Sequence, residues 1–147
     1  MSLLNAALGV GSITLAAEAP DWEAAVRLAG SGLEASGRTT NVYTQAMVAA
    51  IRELGPYVVV APGLAMPHAR PSEAVLETGM SLVVLKTPVA FGHRKNDPVR
   101  VVFGLAALDH DRHLELLSEF AGKFGKEGFV NSLLSCQSES EIRHLFT

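Results

Sequence analysis

The order of apolar and polar positions along the chain divides it into helical stretches around a strand-rich middle. Asp21 can cap a helix in which Trp22, Ala25, Val26, Ala29 and Leu33 recur at helical spacing, a stripe that ends at Gly37. A second helix is predicted to start after Thr39 or Thr40. Its apolar positions are Val42, Ala46, Ala49, Ala50 and Leu54, it carries Arg52 in its last turn, and Gly55-Pro56 must stop it because proline cannot continue the ladder. Tyr57 to Val60, Thr78 to Lys86 and Val99 to Leu108 are rich in Val and Leu, with too little polar alternation for a sheet that shows one face to water. They are expected as central strands covered on both sides. From Asp109 onward the helical period returns, with Leu114, Leu117, Phe120 and Phe124 on one face, then Phe129, Leu133 and Leu134, then Ile142 and Leu145. Pro62-Gly63, Pro71 and Pro88 punctuate the chain, and neither an internal repeat nor a low-complexity linker divides it. The pattern predicts an α/β sandwich, a mixed sheet flanked by helices, as a single domain over residues 1–147.

Composition narrows the function classes. With 48% hydrophobic and 18% charged residues the balance is that of a globular chain, and no apolar run approaches the roughly 18 residues of a membrane span. Met1 to Val10 lacks the basic start of a secretory signal, so a cytoplasmic location is expected. A formal net charge of −3 without a Lys/Arg block gives no footprint for nucleic acid or an anionic membrane. Cys136 is the only cysteine, which excludes an internal disulfide framework and a cysteine-rich zinc site. Five histidines, with His110 and His113 three apart, raise a metal-dependent hydrolase as a rival. No His-Glu-x-x-His pattern accompanies them, and the expectation is no metal and no cofactor.

The segment Ala61 to Pro71, APGLAMPHARP, carries the candidate chemistry. Pro62-Gly63 favours a tight turn, Leu64 to Met66 a short extended piece, and Pro67 fixes its own φ while pushing Met66 into the β region. His68 is thereby held at the end of a stiff stretch. That suits a reacting group, since small misplacements cost large rate factors.

Together with Gln45-Ala46-Met47, Gly55-Pro56-Tyr57, Asn96-Asp97-Pro98-Val99 and His113 within ALDHDRHLELL, this segment resembles the fructose/mannitol-type IIA components of sugar phosphotransferase systems, and within them the ascorbate-specific branch. The resemblance covers nearly the whole chain. It implies a five-stranded mixed sheet flanked by helices and a phosphotransferase with a phosphohistidine intermediate. His68 would accept a phosphoryl group from phospho-HPr and pass it to a cysteine of the IIB component, in functional association with a membrane IIC transporter. His113 matches the family's second histidine and would stabilise the phosphoryl group. Arg70, two residues from His68 and on the same side of an extended stretch, is a candidate phosphate contact. Arg52, sixteen residues before His68, stands at a separation similar to that of the active-site arginine of mannitol-type members. Ala69 replaces the glycine usual after the reactive histidine. Leu64 and Met66, if exposed, would supply a contact patch for both partners. His93 and His110 are expected to be structural or surface residues, and Cys136 a packing residue. A free-standing regulatory IIA-like sensor of the nitrogen type is the alternative role.

Overall fold

The computed structural model describes residues 3–147. In chain order these form α1 (Leu3–Ala7), β1 (Leu8–Ala17), α2 (Trp22–Ala35), α3 (Asn41–Leu54), β2 (Val59–Ala61), β3 (Leu64–Ala65), β4 (Gly79–Val89), β5 (Val99–Ala106), α4 (His110–Phe124), α5 (Phe129–Ser135) and α6 (Glu139–Leu145). The five strands make one sheet in the order β1-β4-β5-β3-β2. Pairing is parallel for β1 with β4 and for β3 with β5, and antiparallel for β4 with β5 and for β2 with β3. The sheet is therefore mixed, as expected.

Period-2 alternation in β4 and β5 sends successive side chains to two separate cores. Met80, Leu82, Val84, Val101, Phe103 and Leu105 pack with Leu4 of α1, Leu116 and Phe120 of α4, Leu133 of α5 and Ile142 of α6. Val83, Leu85, Val102 and Ala106 face the other way, onto Val26, Ala29 and Leu33 of α2 and Tyr43, Met47 and Ile51 of α3. Both faces are covered, which is why these strands read as continuous apolar runs. Close approach on the second face depends on Gly104. A Cβ there would lie 2.5 Å from Ser81 Oγ, whose hydroxyl donates to the Ala29 carbonyl of α2 at 2.6 Å.

Local signals held where they concern element ends. Asp21 caps α2, its carboxylate accepting from Ala24 N–H, and Asp109 caps α4 in the same way through Arg112 N–H. Gly55, at φ 86°, closes α3. Three expectations are corrected. Tyr57 to Val60 is not central: its ordered part forms β2 at the sheet edge, where Val60 is exposed. On α4 the buried residues are Leu116 and Phe120, whereas Leu114 is exposed. On α3 the buried stripe is Tyr43, Thr44, Met47, Val48 and Ile51, while Val42 is 63% and Leu54 67% exposed. That helix is apolar around most of its circumference, so periodicity could not say which stripe meets the sheet.

Candidate functional site

The histidine-bearing segment folds as the sequence suggests. β2 and β3 form a hairpin turned by Pro62-Gly63, with Gly63 at φ 73°. β3 runs beside β5, and past its end His68 still pairs with Leu105 as an isolated parallel bridge. Met66 N–H donates to the Val58 carbonyl at 2.8 Å, and Leu105 N–H to the Pro67 carbonyl at 3.1 Å. His68 is thus carried on paired backbone, not on a free loop.

Its ring is anchored as well. Nδ1 lies 2.9 Å from the Met66 carbonyl oxygen. A carbonyl only accepts, so Nδ1 carries the proton and the lone pair of the neutral ring resides on Nε2. The Tyr57 ring stands edge-on to His68 with centroids 5.9 Å apart, and the His113 ring lies 5.4 Å from it. His113 is the fourth residue of α4, and its backbone N–H is already donated to the Asp109 carbonyl at 3.1 Å, so only its imidazole is available to the site. Desolvation, then the nearby His68 and His110, hold the His113 pKa below the ordinary imidazole value. Its neutral form is favoured while the site is empty of anions.

These groups line an open cleft of about 700 Å³. Its other walls are Ala46, Ala49, Ala50, Glu53 and Leu54 of α3, the Ala69-Arg70-Pro71 stretch, and His110. Four of the apolar positions that periodicity picks out on α3, Ala46, Ala49, Ala50 and Leu54, form the apolar wall of this cleft. Arg70 is exposed there and, among the described residues, its guanidinium has no hydrogen-bond or ion-pair partner. Arg52 is not brought to the cleft. Its guanidinium pairs with Glu23 at the start of α2 and lies 5.9 Å from the centroid of the Trp22 ring, an arrangement that turns it toward α2. Arg52→Ala is therefore expected to leave phosphoryl transfer within about twofold of wild type and to lower stability by about 1 kcal/mol or less, as for an exposed ion pair. Transfer kinetics beside a thermal melt check this.

Leu64 and Met66 are 1% and 5% exposed, so they cannot form a contact patch. Among the described residues the exposed apolar surface at the cleft comes instead from Ala46, Ala49, Leu54 and Tyr57. His93 holds its own loop, Nδ1 accepting from Lys95 N–H and Asn96 N–H. Cys136 packs at the edge of the core formed by Phe103, Leu116 and Leu133. His110, expected to be structural or at the surface, is exposed and lines the cleft; Tyr57 entered the sequence reasoning only as part of the Gly55-Pro56-Tyr57 motif and a strand, and Tyr43 not at all. The only signal for His110 was its position three residues before His113. Among the described residues no group of three or more His, Cys, Asp or Glu side chains is placed to hold a metal ion. None of their helices is long and apolar enough to cross a membrane.

The fold is that of solved phosphotransferase IIA proteins. The mannitol-specific cryptic phosphotransferase enzyme IIA CmtB from Escherichia coli superposes with a TM-score of 0.87 at 31% identity, covering 97% of each chain. The structure of a complex of the mannitol IIA enzyme with its phosphorylated IIB enzyme, also from E. coli, matches with a TM-score of 0.81 at 28% identity, over 95% of this chain and 96% of that one. The ascorbate-specific EIIA component of E. coli K12 is 42% identical over 135 residues, 91% of this chain and 88% of that protein. Residues 7–147 match the family described as the phosphoenolpyruvate-dependent sugar phosphotransferase system, EIIA 2, and the chain belongs to it. It is a sugar-system phosphotransferase component.

Proposed function

We propose that the chain is the cytoplasmic IIA phosphocarrier of an ascorbate phosphotransferase system, acting as one domain over residues 1–147. The observation that carries this is the anchoring of His68: with Nδ1 tied to the Met66 carbonyl, Nε2 is left as the nucleophile. In the first step Nε2 attacks the phosphorus of phospho-HPr, forming a new N–P bond as the N–P bond to the donor histidine breaks. In the second step a thiolate of the IIB component takes the phosphoryl group as the bond to His68 breaks, restoring the neutral ring. Phosphorylation brings the negatively charged phosphoryl oxygens into a cleft whose cationic groups are Arg70 and any histidine that gains a proton. Likeness to ascorbate-specific relatives over most of the chain supports the sugar assignment, which reaches this chain through the IIB and IIC partners it serves. The solved mannitol IIA–IIB complex supports a IIB partner. Both partners must reach the same nitrogen, so they use the apolar α3 wall and Tyr57 in turn.

Incubation with phosphoenolpyruvate, enzyme I and HPr should add one acid-labile phosphoryl group, read by intact mass, and the cognate IIB should then discharge it. Charging without discharge by any IIB would favour a regulatory sensor. No charging at all would overturn the assignment.

A further inference from the structure

The backbone just after His68 contains a hydrogen-bond arrangement that the transfer chemistry above does not use. In the parallel bridge between His68 and Leu105 one rung is direct, Leu105 N–H to the Pro67 carbonyl. On the other side of His68 a side chain stands in the rung. Ala69 N–H donates to the Tyr43 hydroxyl at 3.0 Å, and that hydroxyl lies 2.6 Å from the Leu105 carbonyl and 3.1 Å from the Ala69 carbonyl. A phenol has one proton to donate, and the shorter distance makes Leu105 its main acceptor. Tyr43 is 1% exposed, and burial pushes its pKa up to about 12, so the hydroxyl keeps that proton at every pH where the protein works. The residue stands in the first turn of α3, as the first of that helix's buried stripe, and belongs to the same core as Met47 and Val102.

We propose that Tyr43 is a positioning residue for phosphoryl transfer: its hydroxyl, inserted between Ala69 and Leu105, fixes where the chain leaves the sheet and so holds the His68 imidazole in line for donor and acceptor. This rests on His68 being the phosphoryl acceptor. The Met66 carbonyl anchors the ring from the N-terminal side, and the Tyr43 hydroxyl anchors the backbone on the C-terminal side. Without that hydroxyl the Ala69 N–H must either close onto the Leu105 carbonyl, drawing His68 toward β5, or remain unpaired. Either outcome displaces a nucleophile whose alignment governs the rate. The arrangement also commits the Ala69 N–H to Tyr43, which leaves the phosphoryl oxygens to side-chain donors such as Arg70 and His113.

The test compares Tyr43→Phe with Thr44→Val, which removes a hydroxyl from the next residue of the same helix, bonded to Glu34 of α2 and outside the lining of the cleft. Transfer from phospho-HPr is measured as kcat and KM, with amide hydrogen exchange read at Ala69 and Leu105. Tyr43→Phe should lower kcat about tenfold or more with KM within about twofold, and should speed exchange at Ala69 selectively. Thr44→Val should change neither. Equal kcat in Tyr43→Phe and wild type, or an equal loss in both variants, would overturn the proposal. Should Tyr43→Phe fail to fold, wild-type protein still decides: Ala69 N–H exchanging as slowly as Leu105 N–H is expected, and rapid exchange at Ala69 would overturn the insertion. His68→Ala separates the two readings, because full labelling of that variant would sink the acceptor assignment and leave the hydrogen-bond measurement standing.

Discussion

Replacing His68 by alanine is expected to abolish phosphorylation by phospho-HPr, with no mass increment detectable, while the protein stays folded. Among the described residues His68 is the one histidine of the cleft whose ring is tied through Nδ1 to a backbone carbonyl, so it presents a fixed Nε2 lone pair, and alanine supplies no nucleophile. The fold loses little. The ring is only half-buried, Met66 and Leu105 keep their backbone pairing, and what is removed is the bond to the Met66 carbonyl and the ring contacts with Tyr57 and His113. A change in stability within about 1 kcal/mol follows. Intact mass and a thermal melt on the same sample decide it. Full labelling in the variant would remove the central assignment, and a collapse of the melt would make His68 a structural residue.

His113→Gln should still accept a phosphoryl group but pass it on slowly, about 10²- to 10³-fold below wild type, since a donor aimed at developing charge typically contributes that much. The protonation of His113 is the second readout. In the resting site its pKa is lowered, so the folded state binds fewer protons than the unfolded chain, whose histidines titrate at about 6.5. Stability attributable to His113 is therefore present above about pH 6.5 and is lost as pH falls below it toward the depressed folded value. Phosphorylation of His68 puts a dianion beside the ring and reverses the sign: the His113 pKa should rise above its resting value, which favours a charged donor once the phosphoryl group has arrived. NMR titration of the His113 ring with and without phosphate on His68 checks this. A pKa that does not move, with onward transfer unchanged in His113→Gln, would make His113 a bystander.

Much of this was visible in local patterns. The Asp21 cap and the Gly55 stop were legible because capping involves neighbours within a few residues. The long strands β4 and β5 were legible because burial on both faces demands uninterrupted apolar residues. The short helix α1 and the first strand, Leu8–Ala17, were not. That strand is punctuated by Gly9 and Gly11, bulges against β4, and leaves Val10 exposed, so it lacks both a continuous apolar run and a clean alternation.

The same division runs through the site. Prolines, a turn and the residue order around His68 specify a stiff, extended segment whatever it packs against, because each restricts φ and ψ within one or two residues. Nothing so local distinguishes the two apolar stripes of α3, sends Arg52 to Glu23 and not to the cleft, or brings His110 into the cleft that holds His68. Those outcomes depend on which helix face docks on the sheet. That choice is made by the summed packing of residues far apart in the chain, such as Tyr43 against Leu105, 62 positions later. Local stiffness prepared the histidine, and long-range packing placed the groups around it.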